Sequence, residues 1–155
     1  MFSVAGELKR FKRVLHIREE ERELTQWELS SRMREEESIQ AKLCEIEAMR
    51  DGALADFCSE KGIVSPQQLW FERQSLDVME KKLDLNKQEL ECCRVKIEET
   101  KAELLEKHRN VQLMERYVGK LKEREDKKVL DAEQNNLDDI NTMRFQRGFT
   151  GGADV

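Results

Sequence analysis

The sequence predicts an all-α protein: a long two-helix antiparallel coiled-coil hairpin whose second helix is longer and overhangs the first. Charged residues make up 39% of the chain, with seven Gly and one Pro, which is typical of long helices. One strong break, within residues 58–68, separates two helical segments. In the second segment eight aliphatic residues stand seven apart, a repeat typical of a helix packed along another helix in a left-handed supercoil: Leu69, Leu76, Leu83, Leu90, Ile97, Leu104, Val111 and Val118.

The first helix is predicted over about residues 4–58. Its apolar residues follow one alternating three–four spacing near both ends, whereas the same face is mostly polar between Arg18 and Glu36. Trp27 lies off this register and is expected to pack on its neighbours. The spacing therefore predicts a seam with two apolar ends and a weak middle, formed by Leu8, Phe11, Leu15, Leu29, Ile39, Leu43, Ile46, Ala53 and Phe57.

Helix stop and start signals lie close together at the break. Gly62 suits the position just past a helix C-terminus. Ser65 is predicted to be the N-cap, with Pro66 as the first helical residue and Gln68 as the third, which completes a capping box. The sequence therefore predicts a single elongated domain with these parts: a turn at about 59–65, a second helix over about 66–144 and a disordered tail at about 148–155.

A short, capped turn favours antiparallel packing, in which residue i of the first helix faces roughly residue 125 − i of the second. The aliphatic repeat then ends, at Val118 and Leu121, near the start of the first helix, which favours an intramolecular hairpin. Residues 122–147 would extend beyond it by roughly 35 Å. This overhang is either a docking element for a partner or a frayed end, and its apolar residues are Val129, Leu130, Leu137, Ile140, Met143 and Phe145.

Nothing in the sequence carries the pattern of a catalytic or cofactor-binding site. It has no nucleophile motif and no glycine-rich phosphate loop, and a smooth helical hairpin offers no enclosed pocket. His16 and His108 would lie nearly level across the hairpin, but two ligands make a poor metal site. We therefore predict no enzyme, no cofactor and no metal. The cysteines also lack the close pairing of zinc ligands, with Cys93 in the seam and the others as ordinary small side chains: Cys44, Cys58, Cys92 and Cys93.

Charge and hydropathy exclude two further classes of function. The net charge is −5 with both signs interspersed, which disfavours a nucleic-acid-binding surface. No apolar run reaches the roughly 18 residues that span a bilayer, and the first residues lack the apolar core of a signal peptide. We therefore expect a cytoplasmic protein with reduced thiols.

Two segments near the ends of the chain resemble the flagellar FliJ family. Residues 8–21, Leu-Lys-Arg-Phe-Lys-Arg-Val-Leu-His-Ile-Arg-Glu-Glu-Glu, are similar to the opening of that family, in which a Phe and an Arg-Val-Leu run precede an Arg and an acidic stretch. Residues 133–140, Glu-Gln-Asn-Asn-Leu-Asp-Asp-Ile, are similar to its Glu-Gln and Leu-Asp segment. The length and the two-helix plan also agree, so the resemblance covers nearly the whole chain.

The resemblance implies a non-enzymatic part of the flagellar type III export apparatus, at the cytoplasmic face of the inner membrane. FliJ proteins resemble the stalk of rotary ATPases: one end enters the hexameric export ATPase, the protein bridges that ring to the cytoplasmic domain of the export gate, and it handles empty export chaperones. The implied ATPase contacts are Phe11, Val14, Leu15, Arg18, Val129, Leu130, Glu133, Leu137, Asp138 and Ile140. The implied gate contacts are Phe57, Trp70 and Phe71.

Two other interpretations remain open. One is the injectisome counterpart of the same stalk. The other is a structural homodimer, or scaffold, in which the long helix pairs in parallel with its copy and Asn86 fixes the register. The hairpin predicts a monomer of 18.3 kDa in isolation. Trp70 and Phe71 are equally compatible with packing and with exposure as interaction anchors.

Overall fold

The computed structural model describes residues 4–59, 62 and 64–150. Within these residues there are two helices, α1 at Val4–Ser59 and α2 at Pro66–Thr150. They form an antiparallel two-helix coiled-coil hairpin, and α2 is the longer helix, with 85 residues against 56. The predicted fold class is confirmed.

The start of α2 follows from its capping residue. The Ser65 hydroxyl accepts a hydrogen bond from the backbone N–H of Gln68 at 3.2 Å. The Ser65 carbonyl accepts from the N–H groups of Gln68 at 3.0 Å and Leu69 at 3.1 Å. These bonds satisfy donors that would otherwise be orphaned in the first turn, so the helix begins at Pro66 with Ser65 as its N-cap.

The other end of α2 lies beyond the predicted limit. The helix continues to Thr150, past the predicted end near residue 144, and residues 148–150 of the predicted tail are helical. No proline interrupts this stretch, and Arg147 in the last turn interacts favourably with the helix dipole. The remaining tail, residues 151–155, lies outside the described residues.

The packing divides into two units, and the first contains the described residues of 22–106. Its core consists of Ile39 of α1 with Leu90, Cys93 and Ile97 of α2, against which Leu29 packs. These residues occupy the predicted three–four register on both helices. The heptad pattern therefore identified the buried face of each helix correctly around this core.

Hydrogen bonds fix the register within the same unit. The Cys93 thiol donates to the Arg32 carbonyl oxygen at 3.7 Å, which is the pairing that the 125 − i rule predicts. Next to it, Arg94 Nε donates to a Glu36 carboxylate oxygen at 2.9 Å. The seam that was proposed as a homodimer interface is thus filled by α1 of the same chain.

The polar middle of α1 is still packed against α2. Thr25 is buried, and so is Thr100, which lies opposite it in the same register. The Thr100 hydroxyl donates to the Lys96 carbonyl oxygen at 2.8 Å, so its polar group is satisfied on its own helix. Each threonine presents a methyl group as well, which allows the two helices to stay close despite the polar residues.

The other unit contains the described residues of 1–21 and 107–155. Val111, Val118 and Leu121 of α2 are buried in it. The ring of Phe11 on α1 meets the ring of Tyr117 on α2 edge to face, with centroids 4.8 Å apart. After the half-buried Glu125, every residue of α2 from 126 to 149 is exposed, so α2 extends past the segment that α1 covers.

Three residues correct the sequence analysis. Phe57, which the three–four spacing placed in the seam, is 39% exposed near the end of α1. Leu69, the first member of the aliphatic repeat, is 41% exposed, and the next member, Leu76, is half-buried. The seam is weak there because its next position holds Glu72. Trp27, which was expected to pack, is exposed because it lies off the face that α2 covers.

Gly52 offers a test of the helical assignment of α1. A Cβ built at this helical position meets nothing within 4 Å, so Gly52→Ala adds no clash. We expect the substitution to raise the free energy of unfolding by about 0.5–1 kcal/mol, because alanine loses less backbone entropy in a helix. Urea denaturation measures this change.

Gly62→Ala is the matched control, because Gly62 also has open space but lies outside both helices. It should not produce the same gain. A Gly52→Ala protein that is no more stable than the wild type would contradict a regular helix at this position.

Candidate partner-binding surfaces

Three surfaces collect the residues that the sequence analysis singled out. We call Val129, Leu130, Glu133, Leu137, Asp138 and Ile140 the overhang surface. We call Phe11, Val14, Leu15 and Arg18 the N-terminal surface. We call Phe57, Trp70 and Phe71 the turn-end surface.

The overhang surface is a free helix face. All six of its residues are exposed, including four large aliphatic side chains. At 3.6 residues per turn, those four aliphatics fall within an arc of roughly 100° with Glu133 between them, whereas Asp138 lies on the opposite side of the helix. Met143, which is also exposed, extends the same apolar stripe. From Val129 to Met143, α2 therefore presents one amphipathic face with a single carboxylate, Glu133, inside it.

The N-terminal surface differs because it contributes to folding. Phe11, Val14 and Leu15 are half-buried, and Phe11 contacts the Tyr117 ring. Arg18 is the accessible member, with its guanidinium 3.4 Å from a Glu21 carboxylate oxygen. Substitution of the three apolar residues would therefore disturb the packing of this unit, and only Arg18 is free to serve chiefly as a contact.

The turn-end surface is aromatic and open. Trp70 and Phe71 are exposed, and their rings meet edge to face with centroids 5.4 Å apart. Phe57, near the end of α1, is also exposed. Of the two interpretations of Trp70 and Phe71, packing and exposure, the structure therefore supports exposure. Rigid aromatic side chains of this kind are frequent anchors in protein interfaces.

The thiol and imidazole groups of the described residues are dispersed. Cys93 is buried, and burial raises the pKa of its thiol, so it remains a protonated part of the core. The other three cysteines are exposed.

Each histidine contacts a neighbour on its own helix: His16 Nε2 lies 3.1 Å from a Glu20 carboxylate oxygen, and His108 Nε2 lies 3.2 Å from the Gln112 amide. Within the described residues, no three metal-ligating side chains come together. Neither of the two described helices has a stretch long and apolar enough to cross a lipid bilayer.

Sequence reasoning missed a second apolar stripe on α2. Phe71, Val78, Leu85 and Cys92 are exposed and stand seven apart. They repeat with the same period as the buried seam but two positions later in each heptad. The seven-residue spacing of these residues is visible in the sequence. It was overlooked because the longer aliphatic repeat from Leu69 to Val118 has the same period.

Comparison with known proteins identifies the family. Residues 8–149 match the family model described as "Flagellar FliJ protein". No curated protein and no solved structure matches the chain. The match includes most of both helices, all three surfaces and both segments that carry the sequence resemblance. The chain therefore belongs to the flagellar FliJ family and is a stalk protein of the flagellar type III export apparatus.

Proposed function

We propose that this protein engages the hexameric export ATPase through the overhang surface and acts on it without catalysing a reaction itself. The observation that carries the proposal is the stretch 126–149 of α2, which is helical yet exposed throughout. Burial that stabilises the fold ends at Leu121. An amphipathic helix face with no intramolecular partner has the character of a helix that docks into an apolar site on another protein.

The chemistry of the overhang favours an apolar contact. Val129, Leu130, Leu137 and Ile140 would lose exposed area on binding, and burial of aliphatic area is the main favourable term in protein association. Charges of both signs surround them, so steering by net charge is weak. Glu133 within the stripe adds a directional requirement, because a buried carboxylate needs a cation or hydrogen-bond donor opposite it.

A stalk of this kind can stimulate an ATPase by mass action. One helix that contacts several subunits at once binds an assembled ring more tightly than a single subunit. Binding to one state in preference to another shifts the equilibrium toward the bound state. The protein would thus favour ring assembly, and it needs no catalytic group of its own.

The turn-end surface supplies the second proposed contact. Trp70 and Phe71, with Phe57, would bind the cytoplasmic domain of the export gate, which would hold the protein at the cytoplasmic face of the inner membrane. Exposed, mutually packed aromatic rings support this contact. Within the N-terminal surface, Arg18 is the residue best suited to assist ring binding. Escort of export chaperones rests on family membership, and we assign no surface to it.

The proposed ATPase contact makes a first prediction of its own, on ATP hydrolysis by the export ATPase. Leu137→Asp with Ile140→Asp should abolish stimulation of hydrolysis and of ring assembly, because two carboxylates would have to be buried without partners. The fold should survive, since both residues are exposed in the free protein. A coupled hydrolysis assay and light scattering of the ATPase measure the two effects.

Leu105→Asp is the matched control, because Leu105 is 52% exposed on the same helix and Leu137 is 60% exposed. It should stimulate like the wild type. The proposal fails if the wild-type protein leaves the ATPase unchanged. The assignment to the overhang fails if a chain truncated after residue 125 still stimulates.

The second prediction concerns the gate. Trp70→Ala with Phe71→Ala should weaken binding to the gate's cytoplasmic domain by about tenfold or more, as loss of aromatic anchors does in other interfaces. Isothermal titration calorimetry measures the affinity. Trp27→Ala is the control, since Trp27 is an exposed tryptophan outside the turn-end surface. Unchanged affinity in the double variant, or an equal loss in the control, would contradict this contact.

A further inference from the structure

The second apolar stripe of α2 has the spacing of a coiled-coil seam, and nothing in the described part of the chain covers it. Phe71, Val78, Leu85 and Cys92 stand seven apart and are exposed. Leu85 lies roughly 200° around the helix from Leu83, which is fully buried against α1. The stripe therefore faces away from α1, so a further helix can approach it without disturbing the hairpin.

The positions midway between these residues complete a heptad pattern. Gln74, Lys81, Gln88 and Val95 lie three residues after each member of the stripe, as d positions follow a positions. Three of the four are polar, so this seam is weaker than the one that holds the hairpin. It has the character of a reversible contact that forms at high protein concentration.

The charges along the two edges of the stripe differ in sign. One edge carries Asp77, Asp84 and Glu91, and the other carries Lys82 and Lys96 with Glu89 between them. Within the described part of the chain, none of these six side chains takes part in a salt bridge. The edges therefore carry charges that remain available for pairing.

We propose that the occupant of the stripe is a second copy of this chain, aligned in parallel and in register. In a parallel pair, each residue of one edge faces the residue five positions later on the other edge of the second helix. Asp77 then faces Lys82 of the other copy, and Glu91 faces Lys96. By symmetry each pairing occurs twice. One pairing, Asp84 with Glu89, is unfavourable.

An antiparallel pair would be worse. It would bring the acidic edge of one copy against the acidic edge of the other, so Asp77, Asp84 and Glu91 would all face like charges. The distribution of charge thus selects the parallel arrangement. This inference is independent of the proposed ATPase contact, because it concerns residues 71–96 and not the overhang. It shares Phe71 with the turn-end surface.

Parallel, in-register packing places Cys92 next to Cys92 of the second copy. Residues at this type of position face each other across the axis of a parallel dimer, within the Cα separation that a disulfide accepts. Diamide can join the two thiols by taking up their two hydrogens. The cross-link therefore reports both the orientation and the register of the pair.

The test uses the full chain. A Cys44→Ser, Cys58→Ser protein at about 50 µM should form a disulfide-linked dimer rapidly, and sedimentation should show a mass that rises with concentration toward a dimer. The matched control, Cys58→Ser with Cys92→Ser, retains exposed Cys44 and should cross-link far more slowly. Buried Cys93 is common to both proteins. Equal cross-linking rates, or a concentration-independent monomer, would overturn the proposal.

Charge variants test the orientation. Glu89→Lys converts the one unfavourable pairing into a favourable one and should tighten self-association about three- to tenfold. Lys82→Glu should weaken it, and Asp77→Lys added to that variant should restore it. Leu85→Lys should abolish self-association, whereas Leu105→Lys, outside the stripe, should not. No rescue by Asp77→Lys would overturn the parallel pair, and a stripe that binds only another protein would overturn self-pairing.

Discussion

The structure depends on one constraint: the aliphatic repeat of α2 must be covered by α1, and α1 has a fixed length. Where α1 packs closely on α2, seam residues such as Leu83 and Val111 are buried. Leu121 is the last buried residue of α2, because α1 does not extend further along it. A two-helix hairpin has no other core, so its stability comes from this seam. The exposed aliphatic residues of α2 beyond it are available for contacts with other proteins.

That constraint separates the folding residues from the candidate binding residues. Phe11 and Leu15 resemble binding residues in sequence but are partly buried in the fold, so they serve structure first. Leu137 and Ile140 resemble seam residues in sequence but are exposed in the described part of the chain, so they are available for binding. The proposed ATPase contact needs this division, because a helix end that was also required for folding could not bind another protein without cost to its own stability.

Much of the fold could be predicted because helix periodicity and capping are local properties. Ser65 and Pro66 predict the start of α2. The spacing of Ile39, Leu90 and Ile97 identifies the buried faces. Other features could not be predicted because they depend on what lies opposite. Leu69 fits the repeat but is exposed, since Glu72 weakens the adjoining seam. Thr25 is polar but buried, because Thr100 lies opposite it. The stripe through Leu85 was concealed because its period equals that of the dominant seam.

Hydrogen exchange of the backbone amides, followed with and without the export ATPase, tests the central claim most directly. In the free protein, amides around Leu83 to Leu121 should exchange slowly, whereas those of residues 126–149 should exchange fast, because a helix without tertiary packing opens readily. Addition of the ATPase should protect residues 126–149 and leave the seam as it was. Slow exchange at 126–149 in the free protein, or no added protection with the ATPase, would contradict the account.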